Sequence, residues 1–115
     1  MFDNPAFAGH EGVHFFHDEA SGLRAIIAIH STKRGPAAGG SRMWNYDNSR
    51  DMMTDALRLS QGMSFKNAMA DLPLGGGKAV IWGNSKTDKS PELFQALGRA
   101  IDSLNGTYWT AEDVG

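Results

Sequence analysis

The segment that most constrains the fold is Leu23–His30, which reads LRAIIAIH and is apolar through its whole middle. A strand with one face in water alternates apolar and polar residues, whereas a strand covered on both faces reads as a continuous apolar run. We therefore expect a buried strand here, with packed elements on either side. The aromatic-rich residues Val13–Asp18 precede it, and Glu19–Gly22 supplies a turn, so the two segments predict an antiparallel hairpin.

A long helix is predicted to follow the hairpin. Asn48 or Ser49 provides its cap, and Pro73 prevents it from continuing beyond about Ala70. Apolar residues recur near one face of this segment at helical spacing, which indicates packing against a sheet. We interpret its methionines as core residues: Met52, Met53 and Met63.

A second helix is predicted from Ser90, a hydroxyl cap that is followed by a proline and an acid. Its apolar stripe extends to Leu104, and Asn105-Gly106 is typical of a helix end. The remaining strand predictions are short segments: Ser41–Tyr46, Lys78–Trp82 and Thr107–Thr110. The residues Lys33–Gly40 are predicted to form a loop, because they contain a Gly-Pro breaker and further glycines.

The order of these elements predicts an α/β fold. The chain begins with strands and then alternates helix, strand, helix and strand, so we expect a three-layer αβα domain with a mixed sheet. A chain of 115 residues is long enough for one domain with a real core, so residues 1–115 are predicted to be a single unit. The chain stops directly after a strand-like stretch, which we interpret as the end of a fragment.

The composition excludes several classes of protein. The chain has no cysteine, which excludes disulfides, thiolate metal sites and a cysteine nucleophile. Its formal net charge of -2 gives no basic excess for binding nucleic acid. The N-terminus has no secretory signal, and the longest apolar run, Ala25–Ile29, is too short to span a bilayer. We therefore expect a cytoplasmic location, with no membrane or nucleic-acid partner.

The motif Asp71–Gly83, which reads DLPLGGGKAVIWG, is the most unusual in the chain. A phosphate loop needs a glycine five residues before Gly77 and a hydroxyl after Lys78, and neither is present. The dinucleotide fingerprint also fails, since Val80 stands where its third glycine would be. Two interpretations stay open: a glycine turn before a strand with a solvated lysine, or a close approach of another group to a reactive lysine at the mouth of a strand.

The second interpretation makes Lys78 a candidate for chemistry. Partial burial lowers the pKa of a lysine and a second nearby cation lowers it further, so such a group can act as a base. Lys66, in the segment MSFKNA, is the candidate second cation if the chain reverses at LPLGGG. Asp113 follows a predicted strand and is a third candidate, although spacing alone favours an exposed loop acid beside Glu112.

Other polar and glycine-rich segments give weaker indications. The segment GPAAGGSRMW contains the pair Gly39 and Gly40 and also Arg42, and suits either a close approach to a ligand or a tight bend before an edge strand. Among the histidines, His14 and His17 would point to opposite faces of a strand. With no cysteine nearby, no metal site is predicted.

Four motifs together, GPAAGGSRMW, MSFKNA, LPLGGGKAVI and TAEDVG, occur in a familiar order. In this respect the chain resembles the N-terminal domain of the glutamate/leucine/phenylalanine/valine dehydrogenases, and it is most similar to the leucine branch. The resemblance covers nearly the whole chain. It implies a substrate-binding and oligomerisation domain of an NAD-dependent amino-acid dehydrogenase, which acts on a small L-amino acid and its 2-oxo acid as a homo-oligomer.

The resemblance also implies a role for individual residues. Lys66 matches the lysine that holds the substrate α-carboxylate, Lys78 the catalytic lysine, and Asp113 the aspartate that shuttles a proton at the substrate nitrogen. Gly39 and Gly40 match the glycine pair that lines the substrate site. The remaining substrate-lining candidates are Met63, Ala38 and Ala111.

The choice of substrate follows partly from Ala38. Glutamate enzymes of the family carry a lysine there to meet the side-chain carboxylate, and a methyl group cannot pair with a buried charge. We therefore expect an apolar amino acid of the leucine or valine type, with phenylalanine as the alternative because Ala38 leaves room. The sequence before Asp113 favours the leucine type.

The resemblance has one large departure. The family's second domain, a Rossmann module that binds NAD, is not found in these residues, so we expect the 115-residue chain alone to be inactive. An alternative from another class is a non-catalytic assembly or binding module.

Overall fold

The computed structural model describes the backbone of residues 1–114 and the side chains of residues 1–110. It contains five strands and two helices, which run along the chain as β1 (Gly12–Asp18), β2 (Leu23–Ser31), β3 (Ala37–Trp44), α1 (Ser49–Met69), β4 (Gly75–Trp82), α2 (Pro91–Asp102) and β5 (Tyr108–Val114). The fold is therefore α/β, as the sequence predicts.

The five strands form one mixed sheet in the order β1-β2-β4-β3-β5. The hairpin strands β1 and β2 are antiparallel, with Phe15 opposite Ile26, and β2 is also antiparallel to β4. The later strands β3, β4 and β5 are parallel, which confirms the prediction drawn from the alternation of strands and helices. The crossover from β3 through α1 to β4 brings the glycine-rich segments of both strands side by side.

One helix covers each face of the sheet, so the domain has three layers. On one face α1 packs through Met52 and Ala56 against Ile26 and Val80. On the other face, α2 packs against the adjacent residue of each of the same two strands. Its residues Leu93, Ala96 and Leu97 form a buried cluster with Ala25 of β2 and Ile81 of β4. The strand β2 is buried on both sides, as its continuous apolar run indicates.

The helix ends follow their capping residues. Asn48 accepts a hydrogen bond from the backbone of Asp51, and Ser90 accepts one from the backbone of Leu93. The prediction for the end of α2 was too long, because the helix stops at Asp102 and a turn follows. In that turn Asn105 and Gly106 have φ values of 54° and 81°, a conformation that asparagine and glycine tolerate best.

The prediction of two glycine-rich loops is wrong. Ala37–Gly40 belongs to β3, and Gly75–Gly77 forms the first three residues of β4. Lys78 therefore lies inside a central strand and not at its mouth. The sequence was misleading because glycine usually weakens a strand, and here it is required by the packing of neighbouring groups.

The glycines of β4 allow other elements to approach the strand on both faces. A Cβ at Gly76 would overlap the backbone nitrogen and hydroxyl of Ser64 on α1. A Cβ at Gly77 would come within 2.8 Å of the Tyr108 ring on the opposite face. Other groups thus approach the glycine run closely, as the second interpretation expected. These groups are the protein's own helix α1 and Tyr108.

Candidate functional site

The candidate site lies on the α1 side of strands β3 and β4. Alternation along β4 puts Lys78 on the same face as Gly76 and Val80, and both of these contact or pack against α1. The last turns of α1 carry Met63 and Lys66 over the start of these strands. Three of the sequence motifs therefore meet on one side of the sheet. One contains the glycine pair, one contains Lys66 and one contains Lys78.

Lys78 occupies the centre of β4. It lies opposite Ala28 of β2, and it is partly buried. In the parallel register Ala38 pairs with Gly76 and Ser41 with Ala79, which puts Gly40 level with Lys78 on the neighbouring strand. The glycine contributes no side chain beside the lysine on β3.

Lys66 is exposed in the last turn of α1, and the next residue holds that turn to the sheet. The buried amide of Asn67 donates to the carbonyl oxygens of Gly75 at 2.7 Å and Ala38 at 3.3 Å. One side chain thus joins α1 to both β3 and β4. Asn67 was not predicted as a site residue, although it stands next to Lys66 in the MSFKNA motif.

The glycine pair is enclosed from several directions. A Cβ at Gly39 would overlap the Gly77 carbonyl oxygen and come within 3.1 Å of Met63 Cγ, so Met63 lies beside Gly39. Its role in lining the substrate site stays a prediction. From the other face the Tyr108 hydroxyl donates to the carbonyl oxygens of Gly39 at 2.7 Å and Gly40 at 3.3 Å. Sequence reasoning predicted Tyr108 only as part of a strand.

Burial raises the pKa of Tyr108, which keeps its hydroxyl protonated and able to donate. The ring is 1% exposed and belongs to the core on the α2 side, with Ile27 and Ala79. The spacing of apolar residues can predict that such a tyrosine is buried, but it cannot predict which groups its hydroxyl bonds.

Two predicted site residues cannot be located in this way. The side chains of Ala111 and Asp113 lie outside the described residues, so their relation to Lys66 and Lys78 stays a prediction. The backbone of β5 runs parallel to β3, with Thr110 opposite Gly39 and Val114 opposite Ser41. Asp113 therefore lies within β5, next to the strand that carries the glycine pair, and not after a strand that ends at Thr110 as the sequence predicts.

Arg42 is directed away from the glycine pair along β3. Its Nε lies 3.4 Å from the Asp55 carboxylate, and its guanidinium stacks 4.8 Å from the Trp44 ring centroid. Tyr46 donates to the same carboxylate at 2.6 Å, and burial together with this bond raises the pKa of Tyr46. These groups line a polar cavity of about 330 Å³ in which three aspartates offset two arginines, so it is no anion site.

The buried histidine His10 has a structural role. His10 is buried; its Nδ1 accepts from the Ala8 backbone at 3.1 Å, and its Nε2 lies 2.8 Å from the Leu57 carbonyl oxygen. His30 stacks edge-on against it at 4.8 Å and bonds Ser64 at 2.7 Å. Burial lowers the pKa of His10, which fits a neutral ring that holds the N-terminal segment to α1.

Within the described part of the chain, no group of three or more histidine, cysteine, aspartate or glutamate side chains could hold a metal ion. Over the same residues, no helix is both long enough and apolar enough to cross a membrane.

Comparison with known proteins agrees with the arrangement of motifs. The chain is 58% identical over 106 residues to leucine dehydrogenase of Bacillus subtilis (strain 168), covering 92% of this chain and 29% of that protein. It is 54% identical over 108 residues to phenylalanine dehydrogenase of Lysinibacillus sphaericus, covering 94% of this chain and 28% of that protein. The chain thus spans less than a third of the length of the curated relatives it matches.

A solved structure and a family profile give the same result. The crystal structure of L-tryptophan dehydrogenase from Nostoc punctiforme superposes with a TM-score of 0.87 at 50% identity, covering 92% of this chain and 32% of that one. The family described as "Glu/Leu/Phe/Val dehydrogenase, dimerisation domain" matches residues 10–115. With its motifs on one side of a mixed sheet of this topology, the chain belongs to the Glu/Leu/Phe/Val dehydrogenase dimerisation-domain family.

Proposed function

We propose that this chain is the substrate-binding part of an amino-acid dehydrogenase that converts an apolar L-amino acid to its 2-oxo acid and ammonia. The observation that carries the proposal is the meeting of three motifs on one side of the sheet. Asn67, next to Lys66, bonds Ala38 beside the glycine pair and Gly75 at the start of the strand that contains Lys78. The relatives that share this segment are named as dehydrogenases of leucine and phenylalanine.

In the proposed reaction each ionisable residue has a separate task. Lys66 binds the substrate α-carboxylate, for which an exposed ammonium at the end of a fixed helix is suited. Lys78 polarises the reacting carbon and assists the attack of water on the imine, which releases ammonia and leaves the 2-oxo acid. Asp113 gives a proton to the departing amine. The partial burial of Lys78 strengthens its electrostatic effect on the substrate.

The proposed substrate has an apolar side chain. Ala38 offers a methyl group and no charge beside the glycine pair, and Met63 of α1 lies beside Gly39. A side-chain carboxylate placed there would lose its hydration without gaining a partner. We propose leucine or valine as the substrate. Phenylalanine is the second candidate, because this chain is 54% identical to a phenylalanine dehydrogenase and 58% identical to a leucine dehydrogenase.

NAD is the proposed cofactor and supplies the hydride acceptor when bound. The glycine run of this chain does not fit it, because the residues lie within a strand and the space beside each of them is filled by protein atoms. We therefore assign no contact with NAD to the described residues, and we propose that this chain without further residues is inactive.

Two further proposals concern assembly and location. The family description names a dimerisation domain, which supports a homo-oligomer. The absence of cysteine is compatible with the cytoplasm, which we propose as the location.

The test compares the full-length protein with two lysine variants. Lys66→Ala should raise KM for the amino acid, since it removes binding to the ground state and transition state alike, whereas Lys78→Ala should abolish turnover. Lys33→Ala, which removes an exposed lysine from a turn, is the matched control. Turnover that survives in Lys78→Ala contradicts the assigned chemistry, and no turnover with any amino acid favours a binding module.

A further inference from the structure

The backbone of Ala38–Gly40, here called the AGG segment, is held by side chains from both faces of the sheet. Asn67 donates to the Ala38 carbonyl oxygen from the α1 side. Tyr108 donates to the carbonyl oxygens of Gly39 and Gly40, and its ring belongs to the core on the α2 side. Three consecutive carbonyl oxygens therefore accept from two buried side chains.

These bonds lie where the pairing of β3 with β5 is irregular. β3 keeps one register with β4 across this segment, with Ala38 opposite Gly76 and Ser41 opposite Ala79. On its other side, the pairing of β3 with β5 shifts between Gly39 and Ser41. A buried backbone carbonyl without a partner is costly, and the side chains of Asn67 and Tyr108 supply donors to these oxygens where the pairing with β5 is irregular.

The third glycine of the GGG run is explained by the same arrangement. The Tyr108 ring reaches from β5 across β3 and lies against Gly77 of β4, where a Cβ would be 2.8 Å from Cδ1 and 3.1 Å from Cε1. Any larger residue at Gly77 would displace the ring and with it the hydroxyl. The glycine run and the glycine pair are thus coupled through one tyrosine.

We infer that Tyr108 and Asn67 are positioning residues that fix the AGG segment against the two lysines of the site. The inference rests on the proposed function, in which Gly39 and Gly40 line the substrate site. Neither residue needs to touch the substrate. Asn67 sets the distance from α1, which carries Lys66, to β3 and β4, and Tyr108 holds the glycine backbone at the level of Lys78.

The first test is Tyr108→Phe in the full-length protein, with Tyr46→Phe as the matched control. Both tyrosines are buried and each donates one short hydrogen bond, but Tyr46 lies beyond the end of β3 and bonds Asp55 of α1. Removing the Tyr108 hydroxyl should raise KM for the amino acid about fivefold, the fold-change that corresponds to one ordinary hydrogen bond, and should change kcat less.

The second test is Asn67→Ala, with Asn48→Ala at the exposed start of the same helix as its control. Asn67→Ala removes the donor to Ala38 and Gly75, and should also raise KM about fivefold. Asn48→Ala removes only a helix cap and should lower stability without changing KM. The inference is overturned if Tyr108→Phe has the same KM as Tyr46→Phe and Asn67→Ala has the same KM as Asn48→Ala.

Amide hydrogen exchange keeps the inference testable if the wild-type protein shows no turnover, which would contradict the proposed function alone. Exchange in residues 38–41 should be about fivefold faster in Tyr108→Phe than in Tyr46→Phe, because the local backbone loses its anchor. Equal exchange in the two variants overturns the inference whatever the activity.

Discussion

The packing of α1 on β4 makes a prediction about one methyl group. A Cβ at Gly76 would overlap the backbone nitrogen and hydroxyl of Ser64 and lie 2.6 Å from the Ser60 carbonyl oxygen, whereas ordinary contact begins at 3.4 Å. Two of these three atoms belong to the backbone of α1, so a change of rotamer cannot relieve the overlap. Gly76→Ala must therefore move the helix away from the sheet.

The magnitude follows from the cost of overpacking. Inserting a methyl group into a packed core lowers the free energy of unfolding by about 1–3 kcal/mol. Because its neighbours are rigid backbone atoms, Gly76→Ala should lower it by about 3 kcal/mol. Gly62→Ala is the matched control, since a Cβ there would meet nothing within 4 Å and the residue lies within α1. The control should stabilise the protein by about 1 kcal/mol through helix propensity.

The assay is thermal and urea unfolding of the protein and both variants. At about 4 °C per kcal/mol, Gly76→Ala should lower Tm by about 12 °C and Gly62→Ala should raise it by about 4 °C. A Tm for Gly76→Ala that matches the wild type would show that α1 does not sit against the glycine strand. The packing explanation for the GGG run would then be wrong.

Two further predictions concern stability. Because the pKa of His10 is lowered from 6.5 in the folded protein, unfolding takes up protons, and stability should fall as the pH drops below 6.5. Urea titrations across that range should show a shallower fall for His10→Gln than for His17→Gln, an exposed histidine, and equal slopes would contradict the assignment. Ile27→Ala removes a fully buried side chain from the sheet and should cost about 2–5 kcal/mol in unfolding experiments, whereas Phe15→Ala at an exposed position should cost under about 1 kcal/mol; similar losses would refute the burial pattern.

The layers of the fold could be predicted because they depend on patterns that local physics produces. A continuous apolar run identified β2 as buried on both faces, and Asn48 and Ser90 capped the helices where the sequence indicated. The alternation of strands with helices predicted the parallel pairing of the later strands. Each of these signals lies within one segment or in the order of the segments, so no knowledge of distant contacts was needed.

The glycine strands could not be predicted in this way. Propensity places Gly39 or Gly76 in a turn, and only the arrival of α1 and Tyr108 from elsewhere in the chain explains why a strand needs glycine there. Asn67 was missed for a similar reason, because its two acceptors belong to strands 8 and 29 residues away along the chain. The glycine run pointed to Lys66 and Lys78 as candidates, the family resemblance supplied their roles, and the structure adds the residues that hold their elements together.

The most direct test of the central claim is NADH formation by the full-length protein and by its Lys78→Ala variant. L-leucine, L-valine, L-phenylalanine and L-glutamate should be compared as substrates. The account predicts turnover of the apolar amino acids, little or none of glutamate because Ala38 provides no charge, and loss of all turnover in the variant. Equal turnover by the variant, or a preference for glutamate, would contradict it.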